Sequence, residues 1–253
     1  MDICIPANFF SPDQRDRYFE AASKRRSIRA YCGGPDEAQL QALMAFIENS
    51  PLPGARLELI EVEEDTFFSL PVVGGIMGCR HAAAVIYDTE QLHGRLYAGM
   101  LGEAFVLEAG SMGLGSCWVG GSFHRRKTKV SLNQGEGEKL AAIIAYGVPA
   151  EEVKTARKRK KLTEICRSDP SSWPIWAYNA AENVRIAPSA VNRQPWRMAF
   201  AGRTLLLLKT PFADELDMGI ALLHMTLGLK EKPHQLTFGR GNEMACLIAE
   251  DRT

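Results

Sequence analysis

The chain has 253 residues, and its 30 lysines and arginines balance 30 aspartates and glutamates, for a formal net charge of zero. With 46% hydrophobic and 24% charged residues and a mean hydropathy of -0.14, it has the composition of a globular protein with ample core material. Disordered, collagenous and small disulfide-stapled classes are set aside, and the neutral balance argues against nucleic-acid binding through bulk charge.

No apolar run approaches the roughly 20 residues of a membrane-spanning helix. The opening Met1–Pro6 lacks the basic and apolar regions of a secretory signal, so the expected compartment is the cytoplasm. Cys4, Cys32, Cys79, Cys117, Cys166 and Cys246 are scattered, with no CxxC. They are expected to be free thiols in a reducing compartment. The histidines lack ligand spacing, and Cys79-Arg80-His81 is an isolated pair, so no metal site is expected.

In chain order, Ser11 to about Lys24 is predicted helical, with Ser11 as cap and Pro12 in the first turn. A second helix spans Asp36 to Asn49. Arg56 to Glu63 alternates as a strand and Ala82 to Tyr87 is a short buried strand. Tyr97 to Met112 is a helix apolar almost all round, which requires burial on every side. Ser116 to Val119 is extended, and Leu140 to Val148 is a continuous apolar strand. A basic run, Arg157-Lys158-Arg159-Lys160-Lys161, follows.

The pattern then begins again. Trp173 to Ile186 is a helix. Met198 to Phe200 and Leu205 to Lys209 form a hairpin about Gly202. Asp214 to Leu229 is another apolar helix, and Gln235 to Phe238 with Met244 to Ala249 make a final hairpin. This reads as a twofold duplication, divided into a first unit, 1–167, and a shorter second unit, 168–253.

Gly113-Leu114-Gly115 does not fit a dinucleotide fingerprint. A third glycine is missing and the motif ends a helix rather than following a strand, so Gly113 reads as a helix cap. Phosphate-loop, zinc-protease and nucleophile-elbow motifs are also missing.

Three segments have the chemistry of a ligand site. Arg25-Arg26-Ser27-Ile28-Arg29 offers three guanidinium forks and a hydroxyl, which suits a phosphate. Taken alone, such a cluster is more often a solvated basic turn. Ala187 to Trp196 places Ser189, Asn192, Gln194 and Trp196 on a proline-stiffened loop. That is either a ligand-lining loop or a connection with its tryptophan in the core. Gly115 to Gly121 puts glycines where a backbone can approach a flat ligand, or where a strand simply ends tightly.

In order and content, these segments resemble the nitroreductase family of FMN-dependent oxidoreductases. Gly99–Phe123 resembles that family's long interface helix and the loop beside the flavin, and Ala141–Pro149 resembles its late strand. One departure is informative. Family members carry the arginine element and the proline loop in one unit, whereas here they lie in different halves. Asn49–Arg56, where the first half should have the loop, has Pro53 and Ala55 at the positions of the motif's Asn and Gln, and no Trp. Ser168–Trp173, where the second should have the arginines, has no Arg or Lys.

The resemblance therefore implies an α+β fold of two tandem nitroreductase-like units. Each would be a mostly antiparallel sheet flanked by helices, and the two would pack as an intramolecular pseudo-dimer with one complete flavin site. It implies bound FMN, reduced by NADH or NADPH, and a small-molecule acceptor such as a nitroaromatic or quinone, with no nucleic-acid or membrane partner. Carried over by motif, the cofactor-binding residues are Arg25, Arg26, Ser27, Arg29, Gly120, Gly121, Pro188, Ser189, Ala190, Asn192 and Arg159, with Arg157 beside it. No catalytic side chain is expected, because the chemistry sits on the flavin. An FMN carrier or sensor without general reductase activity, or a flavin-free interaction module, are the alternatives.

Overall fold

The computed structural model describes residues 10–71, 74–130, 132–151, 158–229, 234–237 and 243–249. It divides into two compact units: Lys24–Arg157, and Met1–Ser23 together with Lys158–Thr253. This division differs from the contiguous one expected from sequence. The first helix, α1 (Pro12–Lys24), belongs for almost all its length with the C-terminal segment. Contacts rather than chain order define a compact unit, and nothing in the local pattern of α1 carries that information. The expected cap is present: the Gln14 amide donates to Ser11 Oγ at 3.2 Å, and Gln14 Oε1 accepts from the Ser11 amide at 3.0 Å.

The 24–157 unit is built on a five-stranded antiparallel sheet. Its members are β1 (Tyr31–Gly33), β2 (Ala55–Glu61), β3 (His81–Asp88), β4 (Gly115–Val119) and β5 (Glu138–Pro149). Helix α2 (Glu37–Asn49) starts at Asp36, whose side chain accepts from the Gln39 amide at 2.8 Å. Helix α3 (Gly94–Ser111) lies against α2 and against β2, β3, β4 and β5. Ala83 and Val85 alternate with Ala82, Ala84 and Ile86, which join Ile28, Tyr31, Val119 and Ile143 in an apolar cluster. The middle strands are thus apolar on both faces, which explains their unbroken hydrophobic runs.

All-round apolarity correctly marks α3 as buried: every residue from Leu96 to Ala109 is buried. Its end is a Schellman motif about Gly113 (φ +83). The Leu114 amide donates to Ala109 O at 3.0 Å and the Gly113 amide to Gly110 O at 3.1 Å. A short helix, α4 (Arg125–Val130), follows β4. Neither it nor the three-residue β1 is legible in the sequence.

The other unit has a four-stranded antiparallel sheet in the order β6-β7-β9-β8. The strands are β6 (Trp196–Ala201), β7 (Thr204–Lys209), β8 (His234–Thr237) and β9 (Glu243–Ala249). Gly202, at φ +60, opens the two-residue turn between β6 and β7. Helices α5 (Leu162–Ile165), α6 (Ile175–Ile186) and α7 (Glu215–Leu227) complete it, with α6 packed on α7. Phe238, expected in the last hairpin, lies outside the described residues. No helix among the described residues is long and apolar enough to cross a membrane.

One ion-pair network pins the sheet of the 24–157 unit from edge to centre. Arg56 on β2 donates from Nε and Nη2 to the two Glu138 oxygens of β5, each at 2.7 Å, and from Nη1 to Glu58 at 2.8 Å. The Gly135 amide adds a bond to Glu138 Oε2 at 2.8 Å. Chiefly through Arg56, the Glu138 carboxyl is held down to about 2, against an ordinary value of 4.5. A depressed carboxyl stabilises the fold fully above its unfolded value and stops doing so as pH falls through its folded one. Arg56 is 36% exposed, so solvent screening reduces the contribution. Glu138→Gln is expected to cost about 1–2 kcal/mol at neutral pH. Thermal melts of wild type and variant should converge between pH 4.5 and 2. A gap that persists at the acid end would contradict this account of the network.

Candidate functional site

The candidate residues form two groups, one in each unit. In the 24–157 unit, the arginine segment lies alongside β4. Ser27 and Ser116 form a parallel bridge, and the Ile28 amide donates to Ser116 O at 2.9 Å. Gly115 makes this approach feasible, because a Cβ there would sit 2.7 Å from Ile28 Cγ1. On its other side the segment bridges Met77, with the Met77 amide donating to Arg29 O at 2.8 Å. Two of the three segments singled out from sequence are thus brought together.

The three guanidiniums are not equivalent. Arg25 is buried at 9% exposure, and its Nε has no hydrogen-bond partner. Burial pushes this guanidinium below its ordinary value, opposed by the carboxylate of Glu103. An arginine does not shed its proton in a protein, so this is a desolvated cation with an open donor. Arg26 is half-buried and donates from Nη1 to the carbonyls of Lys24 and Arg25 at 3.1 and 3.0 Å. Arg29 is exposed. Burial raises the Cys117 thiol, while Arg29, Arg25 and Ser27 pull it back.

Glu103 is the residue that sequence reasoning missed. It is wholly buried on α3 and accepts from Trp118 Nε1 at 2.8 Å. Beside it, a Cβ on Gly102 would meet the Trp118 ring at 2.3 Å. The available signal was a carboxylate inside an otherwise apolar helix face, which has to answer a buried donor or cation. Gly120 and Gly121 are exposed, and a Cβ on either would meet nothing within 4 Å.

In the other unit, the loop between α6 and β6 is held in an uncommon conformation. Val191, Asn192 and Gln194 have φ of 45, 56 and 46 degrees. For a β-branched residue such as Val191 this is a costly backbone state. Its surroundings over-determine it. Gln194 is 1% exposed and spends its side chain internally, accepting from the Lys160 amide and donating to Arg185 O, both at 2.8 Å. The Gln194 amide donates to Ser189 Oγ at 2.8 Å, and the Ala190 amide to Asp217 Oδ1 of α7 at 2.9 Å.

Arg159 reaches the same loop. It donates to Asn192 Oδ1 and, from Nε, to Ile186 O at 3.3 Å. Asn192 in turn donates to Lys158 O at 3.0 Å. Arg159, Ser189, Ala190 and Asn192 are therefore neighbours, with Pro188 buried behind them. Trp196 is not a ligand wall in this unit. It is fully buried as the first residue of β6, because strand alternation turns it into the core. Arg157 lies outside the described residues.

A family model described as "Putative TM nitroreductase" matches residues 17–229. The solved structure of a Thermotoga maritima protein carrying a similar description is 25% identical, with a TM-score of 0.64, and the match covers 91% of this chain and 93% of that one. A nitroreductase family protein of Clostridium difficile matches with 19% identity and a TM-score of 0.48, over 59% of this chain and 96% of its own. An FMN-dependent nitroreductase of the same species matches with 19% identity and a TM-score of 0.44, over 62% and 97%. No curated protein matches. With a mixed fold of antiparallel sheets and helices like that of the Thermotoga protein, and a family match over most of its length, the chain belongs to the nitroreductase family.

Proposed function

We propose that the chain binds FMN and works as an oxidoreductase, taking hydride from NADH or NADPH and reducing a small nitroaromatic, quinone or similar acceptor. The observation that carries this reading is Arg25: a buried guanidinium with an open Nε, flanked by Arg26 and Arg29. Such a group is stabilised by an anion with several acceptor oxygens. The phosphate of FMN has that chemistry, and the open backbone at Gly120 and Gly121 suits a flat ring. The residues present therefore fit the group.

When bound, FMN supplies the hydride chemistry. The residues of this chain bind and orient. Arg25, Arg26, Ser27 and Arg29 hold the phosphate and ribityl end. Gly120 and Gly121 present backbone without side-chain bulk. Pro188, Ser189, Ala190 and Asn192, with Arg159 bracing Asn192, supply the motif that the first half of the sequence lacks. Because each half carries only part of the family's motif set, one chain is proposed to hold one FMN and to act as a monomer that mimics a family dimer, in the cytoplasm. The first test is a visible spectrum of purified, FMN-reconstituted protein, followed by anaerobic addition of NADH or NADPH. A colourless protein refutes the reading. A yellow protein that neither coenzyme bleaches is an FMN carrier rather than a reductase.

Replacing both Arg26 and Arg29 with Ala is expected to weaken FMN binding by about a hundredfold or more, since charge-assisted hydrogen bonds are the strong ones. The fold should remain intact, and a fully flavinated double variant on purification would exclude the phosphate assignment.

Gly121→Val separates ligand space from structural need. Its Cβ meets no protein atom, so the apo-protein should melt as wild type does. Flavin content or turnover should nevertheless fall by about tenfold, because a branched side chain occupies ring space at a cost of 1–3 kcal/mol. Normal turnover would sink the assignment.

Light scattering with flavin quantification on one peak tests the stoichiometry. One FMN per monomeric chain is expected, and Asn192→Ala should weaken it by about tenfold although it lies away from the arginines in sequence. Two FMN per chain, or flavin lost on dilution to monomer, would overturn the one-site arrangement.

A further inference from the structure

Of the basic run after β5, the flavin assignment takes Arg157 and Arg159 and leaves Lys158, Lys160 and Lys161. Arg159 is turned toward Asn192, but its neighbours are not. Asn192 Nδ2 donates to Lys158 O at 3.0 Å, which sets Lys158 beside the loop, and Arg193 follows directly on Asn192. The side chains of Lys158 and Arg193 are exposed. Lys160 is half-buried, with Nζ donating to Gln194 O at 3.1 Å. Burial and the nearby Arg197 lower its ordinary value, with Glu164 opposing them.

The carboxylates that the structure shows about the loop are hydrogen-bonded: Asp217 Oδ1 accepts from the Ala190 amide at 2.9 Å. Glu164 Oε2 accepts from the Lys161 amide at 2.7 Å, and Glu182 pairs with Arg185 at 2.7 Å. None of Lys158, Lys160, Arg193 and Arg197 makes an ion pair among the described residues. Unneutralised like charges around one loop repel each other, and an anion relieves that repulsion.

We infer that Lys158, Lys160 and Arg193 form a subsite for the 2′-phosphate of NADPH and select it over NADH. The inference rests on the proposed oxidoreductase reading and extends it to the choice of coenzyme. A phosphomonoester carries close to two charges at neutral pH and three acceptor oxygens on one phosphorus. The diphosphate bridge common to both coenzymes carries about one charge per phosphorus. Exposed cations such as Lys158 and Arg193 favour the more concentrated charge. The patch discriminates by charge rather than by a rigid fit, so its effect is modest and sensitive to salt.

The experiment uses the FMN-loaded protein in two arms. In the first, kcat/KM is measured with NADPH and with NADH. A preference of about tenfold for NADPH is expected from three partly exposed charge pairs, and it should shrink in high salt. The double variant Lys158→Ser, Arg193→Ser should lose most of the preference and keep its NADH rate. In the second arm, calorimetry compares adenosine 2′,5′-bisphosphate with 5′-AMP, a readout that does not depend on turnover. The bisphosphate should bind about tenfold more tightly to wild type and equally with 5′-AMP to the double variant. Equal affinities in wild type, or a preference that survives the double substitution, would overturn the subsite. Failure of both coenzymes to reduce bound FMN would instead count against the oxidoreductase reading, and the calorimetric arm would still decide the subsite.

Discussion

A buried, permanently charged guanidinium is the constraint around which the 24–157 unit is arranged. Arg25 cannot neutralise itself as a lysine or carboxylate would, so its surroundings must answer the charge. Glu103, on the central helix, is the one carboxylate that raises its value. Glu103 is itself buried and needs a donor, which Trp118 provides from β4. Trp118 in turn packs across Gly102. The sequence G-E on α3 and C-W on β4 is thus one device: a glycine to admit the indole, a carboxylate to hold it, and a charge left over for Arg25. The parallel bridge of Ser27 with Ser116 then fixes which arginine of the segment lies inward.

The loop of the other unit obeys a different economy. Its backbone states at Val191, Asn192 and Gln194 are costly, on the order of 1–3 kcal/mol each, and they persist because buried hydrogen bonds fix the chain on both sides. Gln194, Asp217 and the Ser189 hydroxyl do this from within, while Asn192 is exposed and engaged by Arg159 and Lys158. Holding such a loop rigid limits the entropy lost when a ligand meets it. A residue chosen only for stability at position 191 would not be β-branched.

Much of this was legible in the sequence, and the reasons differ from element to element. Helix α3 and its end at Gly113 follow from apolarity on all sides and a glycine cap, both strong local signals. The hairpin at Gly202 follows from turn chemistry. The three-residue β1 left no trace, because two bridging residues carry no periodicity. The grouping of α1 with the C-terminal segment was equally hidden, since an amphipathic helix does not say which surface it covers. At the site, composition pointed to Arg25, Arg26 and Arg29 together. It could not rank them, because burial depends on a bridge to a strand far along the chain. Trp196 shows the converse limit: an aromatic after Pro195 has the same local chemistry whether it lines a ligand or fills a core. Only its place as the first residue of β6, and so the direction of its side chain, decides.

The same reasoning explains why a zero net charge was a poor guide to local chemistry. Positive charge is concentrated in short segments, among them Arg25–Arg29, Arg125–Lys129 and Arg157–Lys161. In Arg25–Arg29, burial of one arginine leaves a desolvated cation whose Nε has no hydrogen-bond partner. In Lys158–Lys161, Lys158 and Lys161 are exposed, whereas Arg159 and Lys160 are half-buried and hydrogen-bonded to the loop. Desolvated charge gives strength and fixed geometry, whereas exposed charge gives selectivity that salt can erase. The sequence therefore encodes the difference in burial rather than in the number of charges.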